Sequence, residues 1–118
     1  MNKTILMGRL TKDVETKHGD TTISRFNLAV DRKFKTNGDA DFIPIVAFGK
    51  IAEFCEKYFK KGMKVLITGR IQTGNYTDKE GNKHYTWDVV AEDVEFAESK
   101  KASEENEFAD IPNNLPFV

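Results

Sequence analysis

Residues 41–61, DFIPIVAFGKIAEFCEKYFKK, constrain this chain more than any other stretch. The first nine alternate as a strand does. Ile43, Ile45 and Ala47 fall on one face, and Phe42, Pro44, Val46 and Phe48 on the other. A half-buried strand in a small domain should show one polar side. Here both sides are apolar. Gly49-Lys50 breaks the alternation, and Ile51, Phe54, Cys55, Tyr58 and Phe59 then recur at the spacing of an amphipathic helix of about three turns. Any fold for this chain must place one short helix among strands and find a use for two aromatics on the second face of a strand.

Composition bounds the answer without deciding it. At 118 residues the chain fits one domain plus a short tail. A hydrophobic fraction of 39% supports a small core. The formal net charge of −1 gives no global attraction to nucleic acid or anionic membrane, so any such binding must come from local patches. Cys55, the one cysteine, lies on the apolar face of the helix; it reads as a buried small hydrophobe and cannot form an internal disulfide. The opening MNKTILMGR lacks the apolar core of a signal peptide, and no apolar run reaches membrane-spanning length. A soluble cytoplasmic protein with no membrane partner is expected.

Taken in order, residues 3–10 read as a strand in which Gly8 marks a bend or a close backbone approach. Residues 11–20 are polar, with a turn at His18-Gly19-Asp20. Residues 21–31 form a second strand. Phe26, Leu28 and Val30 alternate while Ile23 is out of phase, which predicts a bulge near Ser24 or Arg25. Asn37-Gly38 marks a hairpin tip within residues 32–40. After the third strand and the helix, Lys60-Lys61-Gly62 is a helix stop. Residues 63–72 alternate as a fourth strand, residues 75–82 read as an extended loop, and residues 84–96 make a long fifth strand, apolar on both sides, that must bend or bulge. From residue 99 onward periodicity is lost, and SKKASEENEFADIPNNLPFV reads as a disordered acidic linker with an apolar tip. The division is therefore a folded domain at 1–98 and a tail at 99–118. Residues 1–99 hold 16 of the 18 basic and 15 of the 19 acidic side chains, a net of +1.

Five strands are too few for a sandwich, and one helix is too few for a doubly wound sheet. The expected fold is all-β: a five-stranded OB-fold barrel with one short helix between strands 3 and 4. At this point the chain resembles the bacterial-type single-stranded DNA-binding proteins, as a short or phage-encoded member. The resemblance covers residues 1–98 and rests on NKTILMGRLTKD, RFNLAVDR, DFIPIVAFGKIAEFCEKYFKKG, VLITGRIQTGNY and TWDVVAEDVEF, in that order and at the family's spacings. It implies a homotetramer that wraps single-stranded DNA without strong sequence preference, in replication, recombination and repair. It also implies a location at the nucleoid or, for a phage member, in the host cytoplasm.

Binding a strand of any sequence takes aromatic faces for stacking and cations for phosphates. Phe34 lies between Lys33 and Lys35, Phe42 and Phe48 share a strand face, and Tyr76 follows Arg70 closely. By resemblance, Phe34, Phe42, Phe48 and Tyr76 occupy the family's base-stacking positions. Each has a structural alternative: core for Phe48, core or subunit interface for Phe42, a subunit contact for Phe34 and loop anchoring for Tyr76. Trp87 reads as core or interface packing. The phosphate candidates are Arg9, Arg25, Arg32, Lys33, Lys35, Lys50, Arg70, Lys79 and Lys83, each of which can equally be an ordinary solvated residue. Gly74 stands where family members often carry an arginine.

The tail departs from the family pattern of several aspartates before a terminal apolar-Pro-Phe. Asp110 and Leu115-Pro116-Phe117 match a partner-binding tip, but Asn113 and Asn114 replace acids and Val118 follows the phenylalanine. The resemblance implies recruitment of replication and repair proteins through this tip. No glycine-rich phosphate loop, metal-ligand cluster or Cys/His pair is present, so neither catalysis, a metal nor a cofactor is expected. Two other functions fit the same pattern, a protein-interaction module of the primosome-adaptor type and an RNA-binding OB domain.

Overall fold

Alternating burial builds most of this chain into strands. The computed structural model describes residues 1–33 and 39–98. Its elements are β1 (Thr4–Leu10), β2 (Glu15–Lys17), β3 (Ile23–Asp31), β4 (Ala40–Phe48), α1 (Gly49–Tyr58), β5 (Lys64–Thr77) and β6 (Lys83–Phe96). They form one six-stranded sheet in the order β1-β5-β6-β4-β3-β2, and β1 also pairs with β3. The pairings are antiparallel except for β4 with β6, which run parallel at Ile45↔Val89 and Val46↔Val90.

The five-stranded barrel with its helix between strands 3 and 4 is thereby corrected. The sheet has six strands and mixed pairing, and the helix joins β4 to β5. The strand that sequence missed is β2, within the polar segment 11–20. Its three residues pair with Arg25, Ser24 and Ile23, and the Thr16 and Ser24 hydroxyls lie 2.9 Å apart. Backbone pairing along the flank of β3 makes it a strand, and so short a piece needs no apolar alternation.

The predicted bulge in the second strand is absent. From Ile23↔Phe48 to Asp31↔Ala40 the register of β3 on β4 is unbroken. The inward residue is Ser24 rather than Ile23. Its buried hydroxyl donates to the Ala52 carbonyl at 2.8 Å and ties β3 to α1. The irregularity expected in the long last strand is present: the β5–β6 register shifts between Thr68 and Gly69. The extended loop expected at 75–82 shrinks to 78–82, because β5 continues to Thr77 and β6 begins at Lys83. This end of the hairpin is solvent-exposed on both sides, so it is held by cross-strand pairing rather than by burial.

The core lies between the inner side of the sheet and α1. Leu28, Ile45, Val65, Ile67 and Val89 are almost fully buried there. Gly49 turns the chain from β4 into the helix with a φ of 66°, a conformation costly for any residue with a Cβ, and its N–H donates to the Thr22 carbonyl at 2.9 Å. Ala52 and Cys55 carry the buried face of α1, and Ile51 and Phe54 pack at its margin. Tyr58, expected on that face, is exposed. Phe59 lies just past the helix, with extended backbone, and is the largest fully buried side chain. Its ring meets Phe26, Phe54 and Phe96 edge-on, with centroids 5.9, 5.7 and 5.6 Å away. Burial pushes the Cys55 thiol up to about 12. The close approach expected at Gly8 is present, since a Cβ there would lie 2.5 Å from the Ala29 carbonyl oxygen. The tail at 99–118 lies outside the described residues.

Candidate nucleic-acid interface

Cross-strand partners lie on the same side of a sheet, and alternate residues along a strand share that side. On β4, Ile45 and Ala47 enter the core and Ile43 packs at its edge, so Phe42, Pro44, Val46 and Phe48 face outward. Val46 is opposite Arg25 on β3 and beside Val90 on β6. Val90 is opposite Arg70, and the same side of the β5–β6 hairpin continues through Gln72↔Asp88 and Gly74↔Thr86 to Tyr76↔His84. One continuous outer face therefore carries Phe42, Phe48, Tyr76, Arg25 and Arg70. Val46 and Val90 are buried yet stand apart from the core cluster, as two side chains packed together on that outer face would be.

The rings on this face are exposed. Phe42 is 65% exposed, Tyr76 55% and Phe48 42%. None is core, which removes the structural alternative for Phe48 and the core alternative for Phe42. Phe34 and Lys35 lie outside the described residues, as do Asp110, Leu115, Pro116 and Phe117.

The candidate cations divide by environment. Arg32 donates from Nε and Nη2 to one Asp41 carboxylate oxygen at 3.0 and 2.9 Å, and this pairing raises its guanidinium above the ordinary value. Arg9 donates to both Glu98 oxygens, at 3.3 and 2.8 Å, and to the Gly62 carbonyl at 2.9 Å; here too the carboxylate raises the guanidinium. Arg70 donates to the Gln72 side-chain carbonyl at 2.7 Å and lies 3.7 Å from Glu92. A phosphate at any of these three arginines must compete with an internal acceptor. Arg25 is exposed on the aromatic face, Lys50 is exposed in the first turn of α1, Lys33 is exposed after β3, and Lys79 is exposed in the 78–82 turn. Lys83 points away from Tyr76: it alternates with His84, and its ammonium lies 6.0 Å from the Tyr85 ring centroid.

Sequence reasoning missed two features. The opposite side of the hairpin gathers exposed Ile71, Tyr85 and Trp87 around a concave surface; of the two expected readings of Trp87, core and interface packing, its exposure removes the first. At the hairpin tip, His84 stacks on Tyr76 with ring centroids 4.9 Å apart and planes 21° apart. His84 Nε2 is 2.8 Å from Asp78 Oδ2, while Asp78 Oδ1 accepts the Glu80 and Asn82 backbone N–H groups at 2.9 and 2.8 Å. These hydrogen bonds, led by that of His84, hold the Asp78 carboxyl below the usual range. The alternation of Tyr76 and His84 on facing strands was the available signal, but reading it required the hairpin register. Among the described residues, no group of three or more His, Cys, Asp or Glu is placed to hold a metal, and no helix is long and apolar enough to cross a membrane.

An open sheet face with exposed rings set among cations defines a surface for a chain of flat, negatively charged units laid across it. Comparison with known proteins gives the family. The chain belongs to the single-strand binding protein family, whose sequence model matches residues 1–97. It is 52% identical over 108 residues to single-stranded DNA-binding protein 2 of Clostridium acetobutylicum, covering 87% of this chain and 81% of that one. It is 49% identical over 110 residues to the single-stranded DNA-binding protein of Fusobacterium nucleatum, covering 87% and 71%. With the protein of that name from Staphylococcus aureus the identity is 44% over 110 residues, covering 88% and 70%.

Proposed function

We propose that this chain binds single-stranded DNA without regard to sequence and shields it during replication, recombination and repair. The observation that carries this reading is the placement of Phe42, 65% exposed on a strand whose other side is core, on the same outer face as Phe48, Tyr76, Arg25 and Arg70. Bases of any identity stack on Phe42, Phe48 and Tyr76, and Phe34 completes the stacking set. Arg25, Lys33, Lys35, Lys50, Arg70 and Lys79 neutralise phosphates. Arg9, Arg32 and Lys83 contribute at the periphery, two of them only by exchanging a carboxylate for a phosphate. The binding unit is residues 1–98. Residues 99–118 act as a tether whose Asp110 and Leu115-Pro116-Phe117 tip meets replication and repair proteins.

Self-association to a homotetramer is part of the same proposal. Two apolar surfaces support it, Ile5 and Met7 on the outer side of β1 and the Ile71–Tyr85–Trp87 cluster. The test of the central reading is a titration of labelled oligo-dT with the full chain across a salt series. Tight binding at low salt that weakens steeply with salt is the expected result; no binding at low salt overturns it. Competition with the matched ribo-oligomer decides between DNA and RNA, and light scattering gives the assembly mass.

A further inference from the structure

We propose that His84 is a positioning residue of the strand-binding face: its imidazole backs the Tyr76 ring, and Asp78 fixes the imidazole. This rests on the reading of Tyr76 as a base-stacking residue. The geometry is a chain of three groups. Asp78 is anchored in the 78–82 turn through two backbone N–H groups on Oδ1, which leaves Oδ2 to hold His84 Nε2 at 2.8 Å. The turn itself is closed by the Asp78 and Asn82 backbones and by Gly81, whose φ is 88°. His84 is opposite Tyr76 in the ladder and covers one face of its ring at 4.9 Å and 21°. Tyr76 is still 55% exposed, so a ring face is available to a base.

Such an arrangement matters at an exposed site. An unsupported tyrosine at the end of a two-stranded ribbon samples several rotamers and must give them up when a base stacks on it. A ring already held against a second ring loses less on binding. The stack also places the flat imidazole in line with Tyr76 and the incoming base, in the offset-stacked arrangement that aromatic pairs favour. Asp78 from the turn holds His84, while Lys83, its neighbour in the strand, leans toward Tyr85 instead. The Asp78 carboxylate is the charged group with a direct contact to the imidazole.

The test is a double-mutant cycle on the full chain with labelled oligo-dT, reading affinity and thermal midpoint together. His84→Ala should weaken binding about two- to tenfold, the range of one aromatic pair. In a Tyr76→Ala background the same change should have little further effect, because His84 acts through Tyr76. His84→Phe keeps a ring against Tyr76 without the Asp78 contact and should recover part of the affinity, the shortfall being the share that Asp78 supplies by fixing the ring, an outcome that a general loosening of the hairpin would not give. Wild-type binding by Tyr76→Ala overturns the stacking reading of Tyr76, and this proposal with it. Weakened binding by Tyr76→Ala but wild-type binding by His84→Ala overturns this proposal alone. So does an equal loss on His84→Ala in both backgrounds, or failure of His84→Phe to restore binding.

Discussion

Phe42→Ala separates the binding face from the fold. Phe42 is 65% exposed, so about a third of its surface is covered in the free protein. For a phenylalanine that is roughly 70 Å². At ~25 cal/mol/Å² the covered part sets a ceiling of about 1.8 kcal/mol on the stability lost, and the backbone share that alanine also covers lowers this to about 1 kcal/mol. A fully buried phenylalanine would cost about 3–5 kcal/mol. On the bound side, a base stacked on Phe42 is worth about 1–3 kcal/mol, so affinity should fall about 5- to 150-fold. Because the ring carries no charge, the slope of log affinity against log salt should not move. Anisotropy titrations with labelled oligo-dT at several salt concentrations, with thermal melts of both proteins, measure all three quantities. Wild-type affinity would refute the assignment of Phe42. A flattened salt slope would refute the mechanism even if affinity fell, since the variant would then have lost phosphate contacts.

Three further outcomes follow from the same geometry. Arg70→Gln should reduce the magnitude of the salt slope by about 0.7, one phosphate on a single strand, and leave the thermal midpoint nearly unchanged; an unchanged slope would mean that Gln72 and Glu92 keep Arg70 from the phosphate. Phe59→Ala removes the ring that joins Phe26, Phe54 and Phe96 and should cost about 3–5 kcal/mol in denaturant unfolding, with binding retained wherever the protein is still folded. With its thiol pushed up to about 12 in the folded state, Cys55 should resist alkylation at pH 8 until denaturant is added. The folded-state value lies above the unfolded one, so the associated stability is intact below about pH 8.5 and is lost as pH rises toward the folded value, which thermal melts across that range will show.

The double use of β4 was legible from sequence because it is a local property. Alternation assigns Ile45 and Ala47 to one side and Phe42 and Phe48 to the other whatever the strand pairs with, and an apolar set on both sides requires two destinations. The helix was legible for the same reason, although only its period could be read. Its end could not, because Phe59 leaves the helix to reach the core while Tyr58 faces solvent. β2 was invisible, since three polar residues on the flank of β3 carry no pattern. The apparent phase error at Ile23 is no bulge, because a serine is the inward residue: Ser24 is buried at no polar cost through its bond to Ala52. The site as a set of residues depended on long-range register. Nothing local to Arg25, Arg70 or Tyr76 says that they share a side with Phe42.

The face of β4 passes onto the hairpin through β6, and one extra residue in β6 fits that strand between them. Thr68 is opposite Asp93 and Gly69 is opposite Ala91, so Glu92 has no partner of its own in the ladder. Side chains alternate with a period of two, and an extra residue therefore reverses the parity of everything beyond it. This is why the last strand looks apolar on both sides. Val94 packs on the core from one side of the bulge, and Ala91 and Val89 from the other, in opposite sequence phase. Without the extra residue, Val90 and Asp88 would share parity with Val94 and point inward, placing a carboxylate in line with the core. Val90 could not then lie beside Val46, the contact through which the face of β4 continues onto the hairpin. The close fit at Gly69 belongs to the same device, since a Cβ there would fall 2.1 Å from the Val90 carbonyl oxygen. Glu92, displaced outward, lies 3.7 Å from both Lys3 and Arg70 and so links the residue before β1 to the hairpin just where the parity changes. The same residue that fits β6 to the core thus sets Val90 beside Val46 and opposite Arg70, where the outer face of β4 meets that of the hairpin.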